Sequence, residues 1–320
     1  MAVLLTRGDL RPLFEESRWI EESLQLCADA LMTAHHGAMS WLLFPVAAED
    51  QFVNVQLESA PVMGTYLRVF PDRCFPRRPM DGQPALLLDG KTGTLRALMA
   101  VDDLNHWRTA APVALAAREL APDNATILAL LGSGAQARYQ LRAIRHTVPS
   151  LESVRVFSRT PKNRQRFAEE MSTALGLEVV AVDDPGQAAR EADVICVTAP
   201  ATVVEPSWVR PGALLTTILP GAVPAEFGAL LVVPSMSGPE VRSSGWDPRH
   251  GLSSPTACRD PGQIDLTLVD ILRGAVDMRA EPRQTVAYEQ LGVFGWDVPL
   301  IDWACRRGQE ISQCTQCDLA

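Results

Sequence analysis

Positive charge is in short supply in this 320-residue sequence, where 29 lysines and arginines face 38 aspartates and glutamates for a formal net charge of −9 at pH 7. A nucleic-acid-binding face needs clustered basic residues, so nucleic acid is not an expected partner. Long apolar runs are absent too, since no stretch reaches the roughly 20 residues that span a bilayer. The opening MAVLLTRGDLRPLFEE turns acidic too early for a signal peptide. No membrane partner is therefore expected, and the expected location is the cytoplasm. The seven cysteines (Cys27, Cys74, Cys196, Cys258, Cys305, Cys314, Cys317) are scattered and odd in number, which argues against a disulfide framework. Cys314 and Cys317 form a C-x-x-C without a second pair at zinc-finger spacing. It reads as a frayed C-terminal tail, with a metal or redox role as the alternative. His35, His36, His106, His146 and His250 show no ligand spacing, so no metal is expected.

The informative stretch is LALLGSGAQARYQLRAIRH, residues 128–146. Thr126 to Leu131 is β-branched and aliphatic and reads as a strand buried on both faces. It ends at Gly132-Ser133-Gly134, after which Ala135 to His146 carry apolar side chains at helical spacing. A strand, a tight glycine turn and a helix start bring free backbone N–H groups and the positive end of a helix dipole to one point. That point favours an anion, most often the pyrophosphate of a dinucleotide. Gly132 permits the turn, Gly134 lets a phosphate approach the backbone, and Ala137 stands where a small residue lets helix and strand pack closely. An ordinary strand–helix turn is the alternative reading.

The flanks continue the pattern. SVRVFSR (153–159) reads as a strand, KNRQRFAEEMSTALG as an amphipathic helix ending in Gly176, and LEVVAV (177–182), GQAAREA (186–192), DVICVTAP (193–200) and ALLTTIL (213–219) follow. Such alternation marks an α/β fold with a doubly wound parallel sheet. An acidic residue ending the second strand would suit the ribose 2′-hydroxyl of NAD. Here the strand ends in Ser158-Arg159-Thr160, with Lys162 and Arg164 close behind. Cation and hydroxyl together suit a 2′-phosphate, so NADPH/NADP is expected over NAD, the alternative being solvated charges at a helix start.

Before this region lie a helical stretch, Leu10 to Thr33, closed by Gly37, and the strand-like MSWLLFPV, FVNVQL and TYLRVF. ALLLDGKTGTLRALMAV follows as a hairpin turning at residues 89–93. RTAAPVALAARELA (108–121) is a clear helix. LLVVPS (230–235) precedes a Gly/Pro/Ser-rich loop over 236–261, and QIDLTLVDILRGAVD and LIDWACRRGQEIS read as helical. The expected architecture is a Rossmann dinucleotide-binding domain, residues 113–262, inserted in a second α+β substrate-binding and dimerisation domain built from 1–112 and 263–320.

DGKTGTLRALMAVDDLNHWRTAAPVALAARELA, LLGSGAQARYQLRAI, VRVFSRTPKNRQRFAEEM, ADVICVTAP and WVRPGALLTTI together resemble the ornithine cyclodeaminase/μ-crystallin family. The pairing of R-T-A-A before the strand with G-x-G-x-Q-A after it is more specific than the glycines alone. The resemblance implies a homodimer formed through an extended sheet, a Rossmann domain carrying a nicotinamide cofactor and a substrate cleft between the two domains. Activities on amino or imino acids are implied with it. Carried over, Gly132, Gly134, Gln136 and Ala137, with Ser133 and Ala135 among them, line the pyrophosphate. Ser158, Arg159 and Thr160 match the NADP type, and Thr198 and Ala199 pass near the nicotinamide ribose. Arg108 matches the arginine that binds the substrate carboxylate, a structural ion pair being the alternative.

The sequence also departs from the family. A lysine is usual at the start of the strand written TYLRVF, where Thr65 stands, or Tyr66 with a one-residue slip. The chain's two lysines, Lys91 and Lys162, lie elsewhere. The usual aspartate after LLTTIL is replaced by Pro220-Gly221-Ala222-Val223, and no early Pro-x-Arg is present. Ornithine cyclisation needs groups for proton removal and ring closure, so these losses demote it. Reduction of an imine asks less: the substrate must be bound, aimed and kept from water. Tyr66, His106, Asp297 or a bound water could supply the proton. Trp107, Phe294 and Trp296 would suit a less polar substrate than ornithine, or belong to the core. The expected function is NADPH-dependent reduction of a C=N bond in a small carboxylate-bearing substrate. A non-catalytic NADPH-binding protein and a redox-neutral cyclodeaminase or lyase stand as alternatives.

Overall fold

The computed structural model describes residues 2–34, 40–48, 51–60, 63–71, 83–200, 202–218, 222–223, 228–234, 264–276, 283–290, 296–311 and 314–317. They divide into two compact units. One comprises the described residues of Met1–Arg108 and Val293–Ala320, the other those of Thr109–Arg242 and Thr256–Gly292.

The first unit begins with β1 (Ala2–Leu5), α1 (Arg7–Leu10) and α2 (Ser17–Ala34). The continuous helix expected from Leu10 is interrupted, because Pro12 sits at the start of a 3-10 turn, Arg11–Phe14, and α2 begins afresh at Ser17. Strands β2 (Ser40–Ala48), β3 (Gln51–Ala60), β4 (Gly64–Pro71), β5 (Pro84–Leu88) and β6 (Leu95–Ala100) follow, then helix α3 (Asp102–Leu120), which runs on into the second unit. The expected hairpin turn is present between β5 and β6, held by Asp89 N–H to Thr94 O and Gly93 N–H to Asp89 O.

In the second unit come β7 (Ile127–Leu131), α4 (Ala135–Thr147), β8 (Ser153–Phe157), α5 (Pro161–Leu175), β9 (Glu178–Ala181), α6 (Pro185–Ala189), β10 (Val194–Val197), β11 (Leu214–Thr217), β12 (Leu230–Val233), β13 (Leu266–Thr267), α7 (Leu268–Leu272) and β14 (Val286–Glu289). The chain returns to the first unit with α8 (Asp297–Ile311) and β15 (Thr315–Cys317).

The second unit carries an eight-stranded sheet in the order β13-β12-β14-β11-β10-β7-β8-β9, and every pair is parallel. The chain reverses direction across the sheet between β7 and β10, central strands that are buried throughout except at Ile127, as expected for a doubly wound sheet. Residues 263–292 were expected in the other domain. The structure corrects this: β14 lies between β11 and β12, and β13 pairs with β12. The helix expected over QIDLTLVDILRGAVD shrinks to α7, because Thr267 and Asp270 form a capping box that starts it only at Leu268.

The first unit carries a seven-stranded sheet in the order β15-β1-β6-β5-β4-β3-β2, antiparallel except for β1 with β6. The segment around Cys314 and Cys317 is thus no frayed tail, since Thr315–Cys317 pairs with β1 at the sheet edge. Helix α8 packs against α2, β3 and β4. Its own Trp303 is fully buried, as are Trp107 and Phe14, with the Phe14 ring 5.6 Å from Trp107 and 6.5 Å from Trp303. The loop expected at 236–261, Gly37 and Phe294 fall outside the described residues.

Candidate active site

Two constellations carry chemistry, one in each unit. In the second unit β7 delivers the chain into Gly132, whose φ of +133° only glycine holds comfortably. An added Cβ there would stand 2.2 Å from Thr198 Oγ1 and 3.1 Å from Ala199 N. The close approach follows from the end of β10 folding onto the turn: Thr198 N–H and Ala199 N–H both donate to Leu131 O, at 2.9 and 3.0 Å. Gly134 differs. Its φ is −83°, open to any residue, and a Cβ on it would meet nothing within 4 Å. It is the N-cap of α4, and no side chain caps the helix, so the N–H groups of the first turn, Ala135 to Ala137, have no side-chain acceptor there. Ala137 is fully buried, Gln136 is partly buried, and its Oε1 is without a hydrogen-bond partner.

Around this turn a cavity of about 240 Å³ is lined by Gly132, Ser133, Gly134, Ser158, Arg159, Thr160, Asn163, Thr198 and Ala199, among others. Ser133 Oγ donates to Ser158 Oγ at 2.8 Å, tying the glycine turn to the end of β8. An uncapped helix start, an open approach over Gly134 and an exposed Arg159 fit a diphosphate with a further charged group beside it. Arg164, expected among the cofactor residues, does something else. Its guanidinium is buried, donates to Ser158 O at 2.9 Å, pairs with Asp183 and lies 5.9 Å over the Phe157 ring. It holds the shape of the 158–160 loop from beneath and does not line the cavity.

The second constellation lies in the first unit, on the inward face of its sheet. Successive residues of a strand point to opposite faces, so Gln56 and Glu58 on β3 and Tyr66 and Arg68 on β4 share one face. In the register Gln56 stands opposite Arg68 and Glu58 opposite Tyr66. All four are buried, with Asn105 of α3 and Asp297 of α8. Arg68 Nη2 donates to Gln56 Oε1 at 2.7 Å, and Arg68 Nη1 donates to Asn105 Oδ1 at 2.6 Å. Asn105 Oδ1 also accepts from Arg108 Nε at 3.1 Å, while Arg108 Nη1 stands 3.7 Å from Asp297 Oδ2. Gln56 Nε2 closes the ring, donating to Asp297 Oδ2 at 2.6 Å and to Glu58 Oε1 at 2.8 Å. Two guanidinium groups and two carboxyl groups are thus knit by two amides, which is how buried charge is tolerated.

A missing hydrogen bond explains why Arg108 and Asp297 meet. Pro112, inside α3, has no N–H to give to the carbonyl four residues before it. That carbonyl belongs to Arg108, and Trp296 Nε1 donates to it at 3.2 Å. The start of α8 is thereby pinned to α3, with Asp297 the next residue.

Burial shapes the protonation states. It is the main cause that pushes the Glu58 carboxyl up to about 8, with Asp297 adding to the rise and the Gln56 hydrogen bond, Arg108 and Arg68 opposing it. Tyr66 is likewise pushed above its ordinary range by burial, so it keeps its proton. Burial pulls the Arg68 guanidinium down from its high ordinary value, without threatening its charge.

Of the residues expected from the sequence, Arg108, Tyr66 and Asp297 come together here. His106 is half-buried in α3 and is not part of the ring of hydrogen bonds described. Trp107 and Trp296 are fully buried, Trp107 donating to Ser23 Oγ at 2.9 Å, so both belong to the core rather than to a substrate wall. Gln56, Glu58, Arg68 and Asn105 were not anticipated. The available signal was polar residues alternating with Val55, Leu57, Leu67 and Val69. Among the described residues no group of three or more histidine, cysteine or acidic side chains could hold a metal, and no helix is long and apolar enough to cross a membrane.

Residues 65–301 match the model of the ornithine cyclodeaminase/mu-crystallin family. The chain belongs to that family. Two of its members among the relatives are the ketimine reductase mu-crystallin of Mus musculus, 35% identical over 42% of this chain and 42% of its own, and the Delta(1)-pyrroline-2-carboxylate reductase of Bacillus cereus, 34% identical over 37% of this chain and 36% of its own. Across the curated relatives named here the match spans only about two fifths of each protein's length. The family fold is shared almost end to end with the solved structure of Thermococcus litoralis Delta(1)-pyrroline-2-carboxylate reductase in complex with NADH and L-proline. That protein is 24% identical, with a TM-score of 0.83 over 98% of this chain and 100% of the other.

Proposed function

We propose that the protein is an NADPH-dependent oxidoreductase that reduces the C=N bond of a small carboxylate-bearing imine. The observation that carries this reading is the pair of arginines, buried Arg68 and half-buried Arg108, joined through Asn105 in the first unit. Two guanidinium groups held side by side are the natural complement of a substrate carboxylate. The family relatives named as ketimine and pyrroline-carboxylate reductases support the reaction class.

When bound, a reduced nicotinamide supplies the hydride. Gly132, Ser133 and Gly134, with the helix start Ala135, Gln136 and Ala137, hold its diphosphate. Ser158, Arg159 and Thr160 receive the 2′-phosphate, and Thr198 and Ala199 flank the nicotinamide ribose. Arg108 binds the substrate carboxylate in fork geometry, and Arg68 adds a second positive charge. This second arginine answers the loss of the family lysine: the first unit keeps a cation on β4, two residues beyond Tyr66 and on the same face. Lys91 and Lys162 are both exposed, in the hairpin turn and at the start of α5.

The expected partner, a second copy of the chain, is supported by the outward face of the first-unit sheet. In register across five strands run Leu57, Leu67, Leu86, Leu98 and Leu4, and Leu98 is 37% exposed. A leucine row of that kind is the chemistry of a subunit interface. The five described cysteines are free thiols, which suits the reducing cytoplasm.

The test is a titration with NADPH and NADH, followed by tryptophan emission, and then NADPH consumption with a panel of cyclic imines and α-keto acid/amine pairs. Tight NADPH binding, weaker NADH binding and turnover of a carboxylated imine are expected. NADPH binding without turnover of any imine would overturn the assignment.

A further inference from the structure

The unit-one cluster holds one feature that carboxylate binding does not use. Glu58 and Asp297 point at the same amide, Gln56 Nε2, at 2.8 and 2.6 Å. Glu58 is 1% and Asp297 2% exposed. Each also keeps one oxygen, Glu58 Oε2 and Asp297 Oδ1, buried without a hydrogen-bond partner. Two ionised carboxylates sharing one donor, with two lone oxygens dry, is a costly arrangement. A single proton on the pair removes most of that cost and turns one carboxyl into a hydrogen-bond donor.

We propose that Glu58 and Asp297 hold one proton between them and that Glu58 delivers it to the imine nitrogen. The proposal rests on the imine-reductase reading above and names the group that reading lacks.

The groups facing Glu58 set the direction. From β3 there is Gln56; from β4, Tyr66 and Arg68; from α3, Arg108; from α8, Asp297. The buried Cys27 of α2 also feels Asp297 and is pushed to higher pKa, so it stays a neutral thiol. With the two arginines charged and one carboxyl protonated, the cluster carries a net positive charge and attracts an anionic substrate. With both carboxylates ionised it is neutral, and the attraction fades. Glu58, pushed up to about 8, is the member that keeps the proton.

In the reaction the Glu58 O–H bond breaks and an N–H bond forms at the imine nitrogen. The imine carbon gains a hydride from the reduced dinucleotide, which is oxidised as the C=N bond becomes CH–NH. Glu58 is left as a carboxylate beside Arg68 and Arg108 and regains its proton from water after product leaves. Tyr66, held protonated across the strand, keeps its proton throughout.

The first readout needs neither cofactor nor activity. Carboxyl carbons labelled with ¹³C in the free protein should include one glutamate that titrates near pH 8, and Glu58→Gln should remove that signal. Asp297→Asn should move it to lower pH, because the neighbouring negative charge is gone. A Glu58 carboxyl already ionised at pH 6 overturns the proposal. The second readout uses whichever imine the wild-type protein reduces. Glu58→Gln should lower kcat at least 100-fold while KM changes less than threefold, Glu58→Asp should recover part of kcat, and the alkaline fall in the wild-type pH profile should disappear. Unchanged kcat and pH profile in Glu58→Gln overturn the proton role while leaving imine reduction standing. If wild type reduces no imine, the function fails on its own, and the titration still decides who holds the proton. Should Glu58→Gln not fold, Asp297→Asn with the same titration and pH profile carries the decision.

Discussion

The two glycines of the β7–α4 turn separate what the fold needs from what a ligand needs, and substitution of each by alanine tests the division. At Gly132 the alanine Cβ would stand 2.2 Å from Thr198 Oγ1, and the backbone keeps a φ of +133° that an L residue resists. The Thr198 hydroxyl can swing away, since its bond to Leu131 O is long at 3.4 Å. The 3.1 Å approach to Ala199 N is backbone and has less room to yield. Strain of about 1–3 kcal/mol from φ, plus the overlap, gives a loss of about 2–4 kcal/mol for Gly132→Ala. In a unit of this size that corresponds to roughly 5–15 °C in Tm.

At Gly134 the terms nearly cancel. The φ of −83° suits alanine and a Cβ meets nothing within 4 Å. Lower unfolded-state entropy stabilises by about 0.4–1 kcal/mol, while alanine is a poorer N-cap than glycine by a similar amount. Gly134→Ala should therefore melt within about 2 °C of wild type. Its methyl group, however, fills the approach to the helix start, and dinucleotide affinity should fall at least tenfold, a cost of about 1.4 kcal/mol or more. Calorimetric melting and a fluorescence titration with NADPH and NADH measure both. A stable Gly134→Ala variant that binds the dinucleotide as wild type does would refute the placement of the diphosphate at this turn.

Other substitutions give equally definite expectations. Arg159→Asp should leave Tm unchanged, since the side chain is exposed. It should weaken NADPH binding by about 10- to 100-fold relative to NADH, the worth of a charge-assisted phosphate contact; equal losses for both cofactors would argue against the 2′-phosphate role. The raised Glu58 makes folding stability fall as pH rises. Above the ordinary glutamate value of 4.5 the unfolded chain gives up this proton, while the folded chain keeps it to about 8. Denaturant midpoints between pH 5 and pH 8 should decline, and Glu58→Gln should flatten that decline. Trp296→Phe removes the donor to Arg108 O and should cost about 1–3 kcal/mol, with a raised KM for the carboxylate substrate as Asp297 loses its anchor. Leu67→Asp, at the second of the five leucines in the outward row, should shift light-scattering mass from dimer to monomer; an unchanged mass would sink the interface assignment.

The dinucleotide unit was legible because each of its signals is local. An apolar β7, a turn whose backbone demands glycine and an amphipathic α4 are all written between Ile127 and Thr147. Where the signal was short it failed: β13 has two residues and β14 four, too few to show a period, and only pairing with β12 and β11 reveals the sheet they belong to. Arg164 misled for a different reason. Sequence places a cation after the second strand, and burial against the Phe157 ring with Asp183 as partner is a tertiary outcome that spacing does not record.

The unit-one cluster was illegible for the most instructive reason. In β3 and β4 the pattern runs Val-Gln-Leu-Glu and Tyr-Leu-Arg-Val, and the ordinary rule sends the aliphatic residues inward and the polar ones to solvent. The structure shows the reverse. Gln56, Glu58 and Arg68 are buried under α3 and α8, and Leu57, Leu67 and Val69 face outward, with Val69 41% exposed. Such an inversion is unstable unless both faces find compensation. The inner face finds it in a ring of hydrogen bonds among Gln56, Arg68, Asn105, Arg108 and Asp297, closed by the 3.7 Å ion pair of Arg108 with Asp297. The outer face needs an apolar surface to cover its leucines. The same two-residue period that hides the polar cluster from sequence reading therefore couples it to the proposed dimer face: one register places the arginines and carboxyls inward and the leucine row outward, and a slip of one residue would destroy both at once. On this argument Leu67→Asp should cost more than mass. A monomer with its leucine face in water should bind a carboxylate ligand more weakly than the dimer, although no residue of the cluster has changed.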